Sequence, residues 1–361
     1  MTLTATFAPL PNLDDLGEIW QALEARSAPD ERSSFFLGWT WMRSWLSTTG
    51  ATPELLSVQA DGADVALALV GRAMAPRLLG PVATLALNQA GVAAQDRGFI
   101  EYNGLLKAAD APEGVEAVAM TALQARNDWR ALQIAGVETN SLLLASGQFR
   151  RRSRFDVSPA YFIDLASVRD AQGDYLSLLS ANTRSQIKRS AKDYGNVQLT
   201  LEVAPDETTA TSWLAEMQSL NAGRHADNAW DDLGFRAFAE ALVARGLATG
   251  EVELLRISSG DALLGYLLNF VYRGRAMNYQ SAFAPPITSK AKPGLMCHAA
   301  AVTRYVDAGL HLYSLLAGKD RYKQSLATGH ETLEWWLLER FAPRLEAEAL
   351  LRRMLKRPAS E

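Results

Sequence analysis

The stretch Glu54–Val70, ELLSVQADGADVALALV, is written again in the second half of the chain as Glu253–Tyr272, ELLRISSGDALLGYLLNFVY. In both, a short apolar run with interleaved polar residues meets an Asp-Gly or Gly-Asp pair, and a second, more apolar run follows. That is the pattern of two antiparallel strands joined by a tight turn. Each hairpin follows a helical stretch. Ahead of the first, apolar residues recur at helical spacing from Asn12 to Ser27 and again from Trp39 to Ser47, where Trp39, Trp41 and Trp45 supply the anchors. A helix-then-hairpin unit that occurs twice predicts a duplicated α/β fold.

Between the two copies lies Arg150-Arg151-Arg152-Ser153-Arg154, a charge run without apolar period, which reads as a solvated connection or the rim of a site. It sets the expected division into residues 1–150 and 151–361. Past it, Tyr161 to Leu165 reads as a strand, and Ser180 to Tyr194 as a basic helix capped by Asn182 or Thr183 and stopped by Gly195. Strands Leu263 to Tyr272 and Ala276 to Ala282 end at Pro285-Pro286, which cannot donate to a ladder. Lys290 to Gly294 then leads into a helix reaching Ala308, Gly309 closes it, and His311 to Leu316 is a strand. A loop at a helix N-terminus in such a unit can hold an anion on its amides.

Composition narrows the classes. A chain of 361 residues exceeds one ordinary core and suggests two domains. Its net charge of -4 argues against a dedicated nucleic-acid binder, so an anionic partner must meet a local basic patch. One cysteine, Cys297, and four scattered histidines give no disulfide framework and no metal-ligand spacing. MTLTATFAPLPNLDD has neither the basic start nor the apolar run of a secretory leader, and Leu78 to Ala94 is broken by Pro81, Asn88 and Gln89. The expectation is a cytoplasmic protein, at most peripheral to the inner membrane.

Four fragments of the second half, LSANTRSQIKRSAKDYG (Leu179–Gly195), MNYQSAF (Met277–Phe283), KPGLM (Lys292–Met296) and LLAGKDRYKQSL (Leu315–Leu326), fall in the order seen in a known family. Together with FIEYNGLL (Phe99–Leu106) and DWRALQIAGV (Asp128–Val137) they resemble the CelD/BcsL-like acetyltransferases of the GNAT and FemAB-like superfamily. The resemblance implies an α/β fold of two tandem GNAT-like domains, each a mixed twisted sheet with flanking helices. It further implies acyl transfer, from acetyl-CoA or another acyl-CoA and without a metal, to a sugar, glycolipid or polysaccharide precursor, with a membrane-associated polysaccharide-synthesis complex as partner. The alternatives are an aminoacyl transferase on a peptidoglycan precursor and a non-catalytic scaffold. The chain departs from the family in lacking an acidic residue before Gly318 and in inserting Lys319 ahead of Asp320.

Candidate site residues follow from the resemblance and from the chemistry. Thioester transfer needs positioning, carbonyl polarisation and a proton acceptor. Tyr322, Asp320 and His225 are the catalytic candidates, Tyr322 as proton donor to a leaving thiolate or as the group that orients the acceptor, and His225 as base. Lys290, Lys292 and Gly294 are placed to meet the pyrophosphate of the donor, or else form an ordinary Pro-Gly turn. Arg184, Lys188 and Arg189 lie together on the basic helix, as an anion clamp or as a solvated face. Tyr279 and Gln280 are expected to line the cleft with Asn278 turned away, Lys323 to hold negative charge, and Glu101 to face the cleft from the first half.

Overall fold

The computed structural model describes residues 2–29, 33–223 and 228–356. The first half runs β1 (Leu3–Ala8), α1 (Leu13–Ala25), α2 (Trp39–Thr49), β2 (Glu54–Ala60), β3 (Ala63–Ala75), β4 (Val82–Leu87), β5 (Leu106–Lys107), α3 (Val115–Ala125), β6 (Ala131–Glu138), α4 (Leu142–Ala145) and β7 (Arg151–Asp164). Three connecting helices follow, α5 (Leu165–Asp170), α6 (Tyr175–Leu178) and α7 (Ala181–Asp193). The second half repeats the first: β8 (Leu199–Val203), α8 (Glu207–Asn221), α9 (Leu233–Thr249), β9 (Val252–Ser259), β10 (Ala262–Tyr272), β11 (Arg275–Phe283), α10 (Pro293–Asp307), β12 (Leu312–Ala317), α11 (Arg321–Leu326) and β13 (Gly329–Glu339), with α12 (Pro343–Lys356) appended.

Local chemistry sets these boundaries. Asn12, Asp206 and Asp232 cap α1, α8 and α9 by accepting from first-turn amides. Ser180, rather than Asn182 or Thr183, caps α7 through the amide of Thr183. The second helix of each half ends on a left-handed glycine, Gly50 and Gly250, two to four residues ahead of its hairpin. The hairpins pair as the sequence predicts, β2 with β3 and β9 with β10.

All strands join one sheet, in the order β1-β2-β3-β4-β6-β13-β7-β12-β11-β10-β9-β8, with β5 on β3. Read from either edge inward the order matches copy for copy, up to the centre. There the last strand of each half has changed sides: β13 pairs with β6, β7 pairs with β12, and the two exchanged strands pair with each other. The two mixed α/β units expected from the sequence are present, and their sheets are continuous. One face carries a core shared by both halves, where Trp41 meets Phe36, Phe238, Phe270 and Tyr279 edge-on. Such aromatic pairs add about 0.5–1.5 kcal/mol each beyond the area they bury. The other face carries two separate cores, around Trp129 and Met120 in the first half and around Tyr305 and Tyr313 in the second.

The arginine run is neither a solvated connection nor a rim. Arg151 begins β7, and three of the arginines meet acids from β13 and α12: Arg154 with Glu334 at 2.6 Å, Arg151 with Glu339, and Arg150 with Glu346 at 3.2 Å. Glu334 and Glu339 are buried, and a buried carboxylate requires such partners.

Candidate functional site

Each half contains one parallel strand pair, made necessary by a crossover helix. β11 and β12 pair over Arg275–Met277 and Leu312–Ser314 and then separate. Past that point β12 slips its register against β7 between Ser314 and Ala317, and Leu316 takes a left-handed φ of 58°. On β11, Leu268 of β10 faces Gln280 and Asn269 faces Asn278, so Tyr279 is the extra residue of a bulge. The two strands thus diverge into a wedge, and α10 starts beside it with Lys292 at its cap and Pro293 in its first turn.

In the first half the corresponding wedge is filled. β4 and β6 pair over Thr84–Ala86 and Ala131–Gln133. Beyond them, Asn103 donates its amide to Gly136 O at 3.0 Å and its side chain to Leu87 O at 3.0 Å, which bridges both strands. A Cβ on Gly136 would lie 2.6 Å from Ile100 O, so glycine is required there for the segment to seat. Phe99–Leu106, which resembles a strand in the sequence, is therefore an irregular plug up to the two residues of β5. Its other anchors are the hydroxyl of Tyr279, donating to Gly98 O at 2.9 Å, and the hydroxyl of Tyr102, donating to Glu331 at 2.5 Å.

The plug carries Glu101 across to the second half. Its carboxylate accepts from the amide of Ala317 at 2.9 Å, one residue before Gly318. A carboxylate from the first half thus lies against a strand that carries none of its own before Gly318. Burial pushes the Glu101 carboxyl up to about 7, against the opposing pull of the Ala317 amide and the Lys323 ammonium. Lys323 donates to Ala317 O at 2.7 Å, and burial lowers its own pKa while Glu101 and Asp320 raise it. A Cβ at Gly318 would lie 2.7 Å from the Lys323 ammonium.

Asp320, Tyr322 and Lys323 sit on α11 rather than on a loop, with Asp320 exposed at its start. The Tyr322 ring stacks on His298 of α10 at 5.8 Å, and burial together with Asp320 pushes its phenol up to about 12. His298 is fully buried. Its Nδ1 meets Tyr313 Oη at 2.9 Å, and its Nε2 has no hydrogen-bond partner among the described residues. Burial, and secondarily Lys323, lower its pKa to about 3, so the ring is neutral at pH 7. His298 is not among the residues expected at the site, although it falls three, four and seven residues from Leu295, Val302 and Tyr305 on the inner face of α10.

Other expectations land differently. Tyr279 does not line a cleft beside Gln280: its ring packs against Phe270, Trp41 and Phe235, and it anchors the plug. Gln280 is partly exposed on β11. The converging amides expected at Lys290 to Gly294 are largely taken. Lys290 N donates to the Thr288 hydroxyl, Ala291 N to Thr288 O and Lys292 N to the Ser190 hydroxyl. What faces outward is the pair of lysine side chains, both exposed, and Gly294 is small because the Phe283 ring lies 2.9 Å from its Cβ position. Ser190 joins this loop to α7, on which Lys188 and Arg189 are exposed while Arg184 points back at the carbonyls of Leu176 and Ser177, each at 3.4 Å. His225 lies outside the described residues.

Beside Glu101 a cleft of about 470 Å³ opens between the halves, lined by Tyr102, Asn103, Lys107, Glu138, Arg275 and Glu331 among others. Arg275 lies over the Tyr102 ring and pairs with Glu331 at 3.5 Å.

Comparison with known proteins bears on the fold. Residues 181–324, from the start of α7 into α11, match a family model described as an acetyltransferase (GNAT) domain. No curated protein matches the chain. Among solved structures the chain is similar to FemX, at 11% identity and a TM-score of 0.57, over 99% of this chain and 100% of that one. It is also similar to the C-terminal domain of a putative lysylphosphatidylglycerol synthetase from Agrobacterium fabrum, at 12% identity and TM-score 0.54, covering 95% and 96% of the two chains. A third likeness is to L-PGS from Bacillus licheniformis, at 10% identity and TM-score 0.51 over 88% and 96%. At such identities these structures share the fold. The class that fold and domain define is an acyltransferase enzyme of the GNAT type.

Proposed function

We propose that the chain transfers an acyl group, acetyl foremost, from acyl-CoA to an amine or hydroxyl of a sugar, glycolipid or lipid-linked glycan precursor. The observation that carries the reading is the Glu101 carboxylate, held by Ala317 N–H beside Lys323 where β11 and β12 diverge, with a pKa near neutrality. A base poised near the working pH accepts a proton most effectively. The acceptor attacks the thioester carbonyl, Glu101 takes its proton, the new C–N or C–O bond forms and the C–S bond breaks. Lys323 stabilises negative charge at the centre and the Tyr322 hydroxyl returns a proton to the leaving thiolate.

The residues present fit the donor: an open wedge in the second half, a filled one in the first, and exposed Lys290 and Lys292 at the start of α10 for phosphate groups. The interdomain cleft, with hydrogen-bonding side chains on both walls, suits a polyhydroxylated acceptor. We place the enzyme in the cytoplasm, working on precursors that reach it there. The second reading is an aminoacyl transferase, favoured by the whole-chain likeness to a lysylphosphatidylglycerol synthetase domain. Thiol release from acetyl-CoA with a panel of amino sugars and nucleotide sugars tests the first reading, and transfer of label from charged tRNA tests the second. Acetyl-CoA turnover stimulated by a sugar supports the proposal; labelled product from charged tRNA alone overturns it. Absence of both activities, with intact fold, leaves the scaffold reading.

A further inference from the structure

The helix α12 is inverted. Along it Ala347, Leu350, Leu351, Met354 and Leu355 follow the i, i+3, i+4, i+7, i+8 spacing that normally faces a core. Here that stripe faces solvent: Leu350 is 59% exposed, Met354 63% and Leu355 78%. The acidic side chains turn toward the protein instead. Glu348 is buried and pairs with Arg352 at 2.7 Å, and Glu346 pairs with Arg150 and Arg151. The apolar attachment is a small cluster of Leu345 and Ala342 on Val82. Phe341, just ahead of the helix, is 66% exposed.

We propose that α12 lies on an anionic lipid surface, apolar stripe down, and holds the enzyme at the membrane. Charge complementarity selects this occupant. The whole chain is net negative at -4, yet residues 343–357 contain Arg344, Arg352, Arg353, Lys356 and Arg357 against Glu346 and Glu348. Arg352 and Arg353 flank the stripe on its two sides at 100° per residue, where long basic side chains reach phosphate while their stems stay in apolar surroundings. Glu346 is neutralised by Arg150 and Arg151 outside the helix and Glu348 by Arg352 on it, which leaves the remaining charge of the segment basic. A helix of this kind inserts about 5–10 Å into the headgroup region, with affinity from apolar area plus attraction to anionic lipid. Among the described residues no helix is long and apolar enough to cross a membrane, so surface attachment is the mode that this stripe serves. The inference is independent of which acyl group is transferred.

Flotation of the full chain with vesicles tests it. Vesicles of phosphatidylcholine with about one third phosphatidylglycerol are compared with pure phosphatidylcholine at low and high salt, in the salt range where screening acts. Native protein is expected to float with the anionic vesicles, at least tenfold more than with the neutral ones, and to detach in high salt. The double variant Leu350→Glu/Leu355→Glu is expected to lose flotation while keeping its melting temperature, because both side chains are already exposed. Arg353→Glu tests the charge alone and should weaken flotation severalfold. No flotation of native protein at low salt overturns the proposal, as does a double variant that floats normally. So does a native dimer that the double variant converts to monomer without any vesicle binding, since the stripe is then covered by a second copy of the chain.

Discussion

The carboxylate of Glu101 accepts a hydrogen bond from the amide of Ala317, 216 residues further along the chain, at 2.9 Å. Replacing it by glutamine keeps the size and removes the proton acceptor. Glu101→Gln is expected to lower kcat by about 10²–10⁴-fold, the usual contribution of a general base. In the native enzyme kcat/KM should rise with pH through about 7 as Glu101 ionises, and fall again below the ordinary lysine range as Lys323 loses its charge. A pH–rate profile whose rising limb is the same in both proteins would remove Glu101 from the reaction.

The same group costs stability. Its folded pKa of about 7 exceeds the ordinary carboxylate value of 4.5, so the folded state binds the proton more tightly. The sign follows: stability from this group is full below 4.5 and is lost as pH rises through 7. Glu101→Gln has no such dependence. Relative to the native protein the variant should therefore gain in melting temperature between pH 5 and pH 8. A constant difference across that interval counts against the raised pKa.

Around α11, position can be separated from chemistry. Tyr322→Phe keeps the ring on His298 and removes the hydroxyl, so turnover should drop by about 10–10²-fold at unchanged melting temperature, toward the lower end of what a positioned proton donor contributes. Gly318→Ala pushes on the end of Lys323 rather than on backbone. A flexible side chain yields at little cost, so this variant should stay folded but lose rate as the ammonium is displaced. Single-turnover transfer, followed beside thermal melting, distinguishes the two effects; normal rates in both variants would exclude α11 from the site.

At the donor end, Lys290→Glu and Lys292→Glu reverse two exposed charges beside α10. The expected outcome is a higher KM for acyl-CoA with kcat nearly unchanged, as for lost uniform binding. The increase should shrink in high salt. An unaltered KM at low ionic strength places the phosphates elsewhere.

Arg154→Met addresses the centre of the sheet, leaving Glu334, among the described residues, with the Trp336 indole N–H at 2.8 Å. Losing one partner of a buried carboxylate costs about 1–3 kcal/mol. Urea unfolding should show that loss as a lower midpoint at constant slope. No shift in midpoint would mean that the pair contributes nothing measurable to folding.

What the sequence revealed was what neighbouring residues decide. The twin hairpins are local, since Asp61-Gly62 and Gly260-Asp261 sit between runs that pair with each other. The basic helix, the Lys292-Pro293-Gly294 start of α10 and the strand before Gly318 are local too. Arg150 to Arg154 misled because the acids that answer them, Glu334, Glu339 and Glu346, are about as far away in sequence as the chain permits. Glu101 could be nominated as cleft-facing, but its partner could not be named, because no pattern near residue 101 encodes Ala317. Tyr279 was displaced by a bulge, which shifts side-chain alternation by one residue without a signature of its own. His298 is legible through its helical spacing with Leu295, Val302 and Tyr305, whereas a histidine taken alone carries no such signal.

The exchanged strands have a consequence for how the protein is made. β6 emerges early from the ribosome, yet the partner along its outer edge, β13, is among the last elements synthesised. Until then the first half carries an unpaired edge in the middle of its future sheet, and edges of that kind recruit strands from other chains. β7 waits on β12 and β13 in the same way. Contacts so distant in sequence slow folding. A nascent chain truncated after α10 would hold two incomplete sheets rather than one finished domain, so premature termination should yield aggregates and not an active fragment.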